Sequence, residues 1–289
     1  MNGDILTYLR HLPAITASLD AVGVPFFFNN PLFILSRLAK SPGFRIVELD
    51  GGLLFDAAGR WASILPTTTR RTRYRALVHA AIVPRRKLMR LPEWLLPTLW
   101  EYDASAWWPD CLGDSAALQT LAGRKYKSIR QGILRAERSG RVEVVRLGPA
   151  HAQEAAQITR DWCATRAAAL GTICMEEENL WLFENLGWLD EHLPGFWGIG
   201  VTVDGQLQAV NLSCVLSRSV WCSHTERYRP GILAYCNQLA FREACRVVDP
   251  AQLPWVNDGS AEAPVVPGVN NLASFKARLT HHTLVPYTV

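Results

Sequence analysis

No apolar run in this chain is long enough to cross a bilayer; the best candidate, residues 22–38, is broken by Pro25, Asn29, Asn30, Pro31 and Arg37. The opening MNGDILTYLRHL lacks a basic stretch followed by an apolar one. No signal peptide is read from it, and a cytoplasmic location is expected. The seven cysteines contain no Cys-x-x-Cys pair. This argues against a zinc knuckle and predicts reduced, mostly buried thiols. His281 and His282 have no partners at ligand spacing, so no metal is assigned. A nucleophile elbow and a cysteine beside a histidine are both missing, and covalent catalysis loses its usual signature. Lysine is scarce as well. After Lys127 the one lysine is Lys276.

What is present describes a folded chain. Its 289 residues are 49% hydrophobic and 19% charged, enough to bury one large core or two ordinary ones. Several of the tryptophans stand beside turn signals, as in Trp107-Trp108-Pro109 and Pro254-Trp255. The net charge of +4 conceals a segregation. Residues 57–92 hold nine arginines or lysines and no acid, and residues 123–141 hold seven against Glu137 alone. Such patches suit phosphates, whether of RNA, a nucleotide cofactor or an anionic lipid surface, although a solvated face reads the same way.

Periodicity organises the chain into helices and short strands. Ile5, Leu9, Leu12 and Ile15 recur at helical spacing, and a second helix follows Pro31. FRIVEL, GLLFDA and WASILP, separated by glycine turns, predict a β-meander. Residues 73–83 read as a further strand, and Asp103 follows a strand within LPEWLLPTLWEYD. The segment GRKYKSIRQGILRAERSG predicts a helix over residues 123–140 with Gly140 as its terminator. Tyr126, Ile129, Ile133 and Ala136 share its apolar face, while Arg124, Lys127, Gln131, Arg135 and Arg138 form a polar stripe. VEVVRL predicts a strand, and helices follow over residues 150–169 and 175–193. A hairpin turns at Asp204-Gly205, a helix follows Pro230-Gly231, a strand is read at LPWVND, and a last helix lies near residues 272–279.

In order and spacing these segments resemble a known group. It is the tandem acetyltransferase-fold family of the FemABX peptidoglycan aminoacyltransferases and the phosphatidylglycerol lysyltransferase C-terminal domain. The resemblance runs from about residue 100 to 289. It rests on GRKYKSIRQGILRAERSGRVEVVRL, on DGQLQA, on RYRPGILAY and on the closing NNLASFKARL. It implies an α/β (α+β) fold of two acetyltransferase-like domains, residues 1–147 and 148–289, each a mostly antiparallel mixed sheet flanked by helices. It also implies an aminoacyltransferase that takes its group from aminoacyl-tRNA, without a further cofactor. The acceptor is an amine or hydroxyl of a small molecule, peptide or lipid.

Residue roles follow from the resemblance. Phe275 and Lys276 stand where the reacting ester lies, and Lys276 is expected to stabilise the oxyanion. Arg124, Lys125, Lys127, Arg130 and Arg135 are expected to cradle the tRNA. Tyr228, Arg229 and Gly231 occupy the donor position, although Pro230 removes an amide that coenzyme A users need. Asp103, His224, Glu226 and Asp258 are candidates for receiving the acceptor's proton, and His224 and Glu226 alternate along one strand and are expected to share a face. Trp255, Asn257 and Asp258 are expected to bind the acceptor. Two other functions fit the residues: an N-acyltransferase using a coenzyme A thioester, and a non-catalytic tRNA-binding protein on the same fold.

Overall fold

Ile5, Tyr8, Leu12, Ile15, Leu19 and Val22 recur every three or four residues and fold Gly3–Val22 as helix α1, which Gly23 closes at φ 77°. A computed structural model describes residues 2–57, 59–82, 87–99, 102–106, 109–170, 176–229, 235–260, 276 and 279–288. Helix α2 spans Pro31–Lys40, with Pro31 at its first turn and Asn30 accepting from the Phe33 amide at 2.8 Å. The expected meander follows as β1 (Phe44–Leu49), β2 (Gly52–Ala57) and β3 (Trp61–Pro66). Gly51, at φ 96°, makes the first turn.

Residues 73–83 are not a strand. Tyr74, Leu77, Val78 and Ala81 bury one face of helix α3 (Arg71–Ala81), a period of 3.6 that outweighs the β-branched and aromatic content. This helix carries the chain to β4 (Lys87–Leu91), which lies parallel to β3. Glu93–Thr98 form a 3₁₀ turn where a strand was expected before Asp103. The short β5 (Ser105–Ala106) and β6 (Asp110–Asp114) follow.

Asp114 caps α4 (Ser115–Thr120), accepting from the Ala117 amide at 2.8 Å. The basic segment makes a 3₁₀ turn, Arg124–Tyr126, and helix α5, Lys127–Glu137. It ends before Gly140, and the expected apolar face is the buried one. After β7 (Val142–Arg146) come α6 (Ala152–Leu170), α7 (Glu176–Glu184) and α8 (Leu186–His192). Strands β8 (Phe196–Val203), β9 (Gln206–Val215) and β10 (Val220–Tyr228) form an antiparallel run. Asp204 and Gly205, both at positive φ, turn its first hairpin. Helix α9 (Cys236–Val247) returns the chain to β11 (Trp255–Ser260), parallel to β10. Strands β12 (His282–Leu284) and β13 (Tyr287–Thr288) complete the fold.

The fold is mixed α/β with two mixed sheets. The first has the order β1-β2-β3-β4-β13-β5, the second β12-β6-β11-β10-β9-β8-β7. A boundary near residue 147 does not separate these sheets, because β6 and β7 join the second and β13 returns to the first. One apolar cluster joins α1, α2 and the first sheet to Phe196, Leu207, Val210 and Leu212 on one face of the second sheet. Another packs α5 and α9 onto Trp197, Ile199, Val201 and Trp221 on the opposite face. All eight residues of β8 are therefore buried.

Cys111, Cys214, Cys222, Cys236 and Cys245 are buried free thiols, as expected. Cys163 departs from the expectation, being disulfide-bonded. The lack of Cys-x-x-Cys spacing had no bearing on a more distant pairing. No helix among the described residues is long and apolar enough to cross a membrane.

Candidate active site

Parallel pairing of β10 and β11 covers only Val220–Cys222 against Trp255–Asn257. Past that point β10 carries a bulge between Ser223 and Thr225, and β11 is irregular against β6 after Asn257. A gap opens there, and Glu226 and Asp258 lie on its two sides.

The bulge decides which way the β10 side chains point. Ser223 pairs with Ser213 and Glu226 with Asn211, while Thr225 pairs with Leu212. Ser223 and Glu226 therefore share a face that simple alternation would deny them. The Ser223 hydroxyl donates to Glu226 Oε1 at 2.8 Å and itself accepts from the Asn211 amide at 2.8 Å. Thr225 points the other way and donates to Asn179 of α7 at 3.1 Å. The common face expected for His224 and Glu226 rested on that alternation, which the extra residue interrupts. His224 instead stacks on Phe27, with ring centres 5.7 Å apart, and lies 3.4 Å from the Asn30 amide nitrogen.

Across the gap the Glu226 and Asp258 side chains are hydrogen-bonded. Asn237 of α9 donates to the other Glu226 oxygen at 3.1 Å. Lys276 donates to the Asp258 carbonyl, and its ammonium lies 3.7 Å from the Asp258 carboxylate. Lys276 is 9% exposed and Asp258 8%, so the two groups meet nearly out of water. Asn257, beside it, donates to Asp110 and to the Pro25 carbonyl, each at 3.0 Å. Asp110 also accepts from the Phe27 amide at 2.5 Å. The N-terminal segment is thereby pinned against β6 and β11. Glu226, Asp258 and Lys276 lie after residue 147, whereas Phe27, Asn30 and Asp110 lie before it.

The electrostatics follow from burial. Desolvation pushes the Asp258 carboxyl up to about 8; Lys276 opposes the rise and Glu226 adds to it. A proton is therefore held between two carboxyl groups at neutral pH. Burial also raises Asp110, while Asn257, the Phe27 amide, Lys276 and Arg90 pull it down. His224 is lowered to about 3, first by burial and then by Arg227 and Arg37. It is neutral at physiological pH. With Nδ1 facing the Asn30 amide, the network assigns its proton to Nε2.

Other candidates lie apart from this group. Trp255 stacks edge-on against His282 at 4.8 Å, next to Asn257. Asp103 is exposed and makes no hydrogen bond to the group among the described residues. On the basic segment Lys125 donates to the Thr280 carbonyl at 3.0 Å, Arg130 to the Gly123 carbonyl at 2.7 Å and Arg135 to Tyr235 at 2.8 Å, while Arg124 and Lys127 are exposed. Lys125 thus ties this segment to the turn that follows Lys276. Tyr228 is half-buried, and Arg229 faces Glu154 and Asp161 of α6 at 3.6 and 3.7 Å. Phe275 and Gly231 lie outside the described residues. Among the described residues no cluster could hold a metal ion.

Sequence reasoning missed Asp110, Asn30, Phe27 and Arg90. An aspartate after Trp-Trp-Pro looks like a turn, and an arginine inside the apolar run KLMRL was the one signal of a buried cation.

The chain is similar to proteins of known structure. One is a conserved protein of unknown function from Bacteroides thetaiotaomicron, 15% identical, with a TM-score of 0.71 over 93% of this chain and 94% of that one. FemX, at 8% identity, has a TM-score of 0.61 over 90% and 91% of the two chains. L-PGS from Bacillus licheniformis, at 13% identity, has a TM-score of 0.58 over 96% and 90%. At such identities the likeness is one of fold. No curated protein sequence matches the chain. The family model for the phosphatidylglycerol lysyltransferase C-terminal domain matches residues 89–284, most of the chain, with Glu226, Asp258 and Lys276 inside the match. The chain therefore belongs to the phosphatidylglycerol lysyltransferase C-terminal family.

Proposed function

We propose that this protein moves an aminoacyl group from aminoacyl-tRNA to an amine or hydroxyl of a small-molecule, peptide or lipid acceptor. The observation that carries this reading is the buried Lys276 ammonium beside the hydrogen-bonded Glu226–Asp258 pair, at the gap between β10 and β11. The acceptor attacks the ester carbonyl, and the charge that develops on its oxygen meets Lys276. A fixed donor there supplies ~2.7–4 kcal/mol of barrier lowering. Glu226 takes the acceptor's proton, and Asp258 gives its own to the departing ribose oxygen. The shared hydrogen bond then returns a proton from Glu226 to Asp258, so each turnover leaves the pair as it began. The ester is already activated, so no covalent enzyme intermediate is required and positioning provides the rest.

The exposed Arg124 and Lys127 support a nucleic-acid donor, their ammonium and guanidinium groups being free to meet phosphates. The coenzyme A reading is less well supported. The Arg229 amide is spent on the Gln208 carbonyl at 2.9 Å, and its side chain faces two acids. The test is incubation with a pool of radiolabelled aminoacyl-tRNAs, where accelerated loss of the label from tRNA is expected. Micromolar binding of coenzyme A by calorimetry, with no effect on charged tRNA, would transfer the assignment to the thioester donor. Tight tRNA binding with an unchanged rate of deacylation would leave a binding protein.

A further inference from the structure

We propose that Arg90 forms the floor of a subsite for a phosphate group, entered between Phe28 and Trp61. Three unfavourable features meet at this one residue. Its backbone has φ 66°, a left-handed conformation that an arginine on a strand does not favour. Its side chain is buried, with 4% exposure, and although the Asp110 carboxyl attracts it, no salt bridge reaches it among the described residues. Its Nε and Nη1 groups have no hydrogen-bond acceptor. Buried donors of this kind are rare in folded proteins and ask for an explanation.

The surroundings fit a cation waiting for an anion. The guanidinium carbon sits 4.7 Å from the Phe28 ring centre, 4.9 Å from Trp61 and 5.6 Å from Phe33. Aromatic faces ease the burial of a cation but accept none of its strong hydrogen bonds. Arg37, over the same Phe33 ring at 5.3 Å, is already paired with Glu178 at 2.7 Å, whereas the open N–H groups of the Arg90 fork suit the oxygens of a phosphate. Packing alone does not account for the residue, since an apolar side chain of similar volume fills such a space without a buried charge. Phe28 and Trp61 are only half-buried, so the cage wall reaches the surface. Phe28 also adjoins Phe27, which stacks on His224 and bonds Asp110. Through Phe27, Asp110 and Asn257 the cage connects to the strand that carries Asp258, and the phosphate belongs to the acceptor. That last assignment rests on the transfer reading.

Calorimetry on the free protein tests the subsite with two probes, inorganic phosphate and a soluble short-chain phosphatidylglycerol. Binding of phosphate identifies a free phosphate group, and binding of the phospholipid alone identifies a lipid head group. In either case Arg90→Met is expected to weaken binding by about thirtyfold or more, with a melting temperature equal to or above that of the parent. If Arg90→Met does not fold, Arg90→Lys keeps the charge and is expected to bind more weakly than the parent. Failure of both probes to bind, or affinity unchanged in the variant that folds, overturns the proposal. No donor is present in these measurements, so a negative result leaves the transfer reading standing. Phosphate binding without any transfer from charged tRNA removes that reading and leaves the subsite.

Discussion

Lys276 and Asp258 make a pair in which each partner changes what the other can do. Removing the ammonium would strand most buried carboxylates, but burial and Glu226 already hold the Asp258 carboxyl up at about 8. Without Lys276 it simply keeps its proton. Lys276→Ala is therefore expected to lower kcat by about 10²–10³ with little loss of stability, as measured by single-turnover transfer and thermal melting. Unchanged turnover would take Lys276 out of the chemistry.

The same raised value fixes two pH effects. Transfer is expected to fall above pH about 8, as Asp258 loses the proton it donates. Glu226→Gln removes the neighbouring charge that props the value up, so the alkaline limb of the residual rate moves to lower pH. In stability the sign follows from proton counting. The folded state binds more protons than the unfolded chain between the ordinary carboxyl value of 3.8 and about 8. The contribution of Asp258 is complete below that window and fades as pH rises through it. Melting curves across the window, flatter in Asp258→Asn, check this.

Helix α5 shows why a row of cations is not a uniform surface. Lys125, Arg130 and Arg135 are bound to Thr280, Gly123 and Tyr235, which leaves them to hold elements together. Arg124 and Lys127 are exposed. A double Arg124→Ala, Lys127→Ala variant is expected to reduce the salt slope of tRNA binding by about two, with melting unaffected. A slope equal to the parent's would move the phosphate contacts elsewhere. By contrast β10 does its work through a defect. Its extra residue turns Ser223 and Glu226 to one face and lets β10 leave β11, and the gap that results is where the ionisable groups gather.

The two sheets are stitched by exchanged strands. β6 reaches the second sheet from the N-terminal side of α5, and β13 returns from the far end of the chain to sit between β4 and β5. One apolar cluster spans both. Unfolding by denaturant is expected as one cooperative transition, with fluorescence and circular dichroism coinciding. Ending the chain at Pro286 leaves the edge of β4 unpaired and is expected to lower the melting temperature and speed amide exchange at residues 88–91. Two separate transitions would show that the exchanged strands do not join the halves.

The order of elements was legible in the sequence, because turns and hydrophobic periods act over a few residues. The β1–β3 meander, the hairpin at Asp204-Gly205 and the buried face of α5 are all local patterns, and so are the motifs that carry the family. Helix α3 was legible too, in the spacing of Tyr74, Leu77, Val78 and Ala81, but its β-branched and aromatic residues obscured it. Tertiary structure alone brought Pro25 to Asn257, Phe27 to Asp110 and Asn30 to His224, across 232, 83 and 194 residues. It alone decided that Arg90 is buried and that Asp258 holds a proton. Residue spacing records neighbours along a helix or strand, whereas desolvation and charge depend on groups that meet only once the chain has closed on itself.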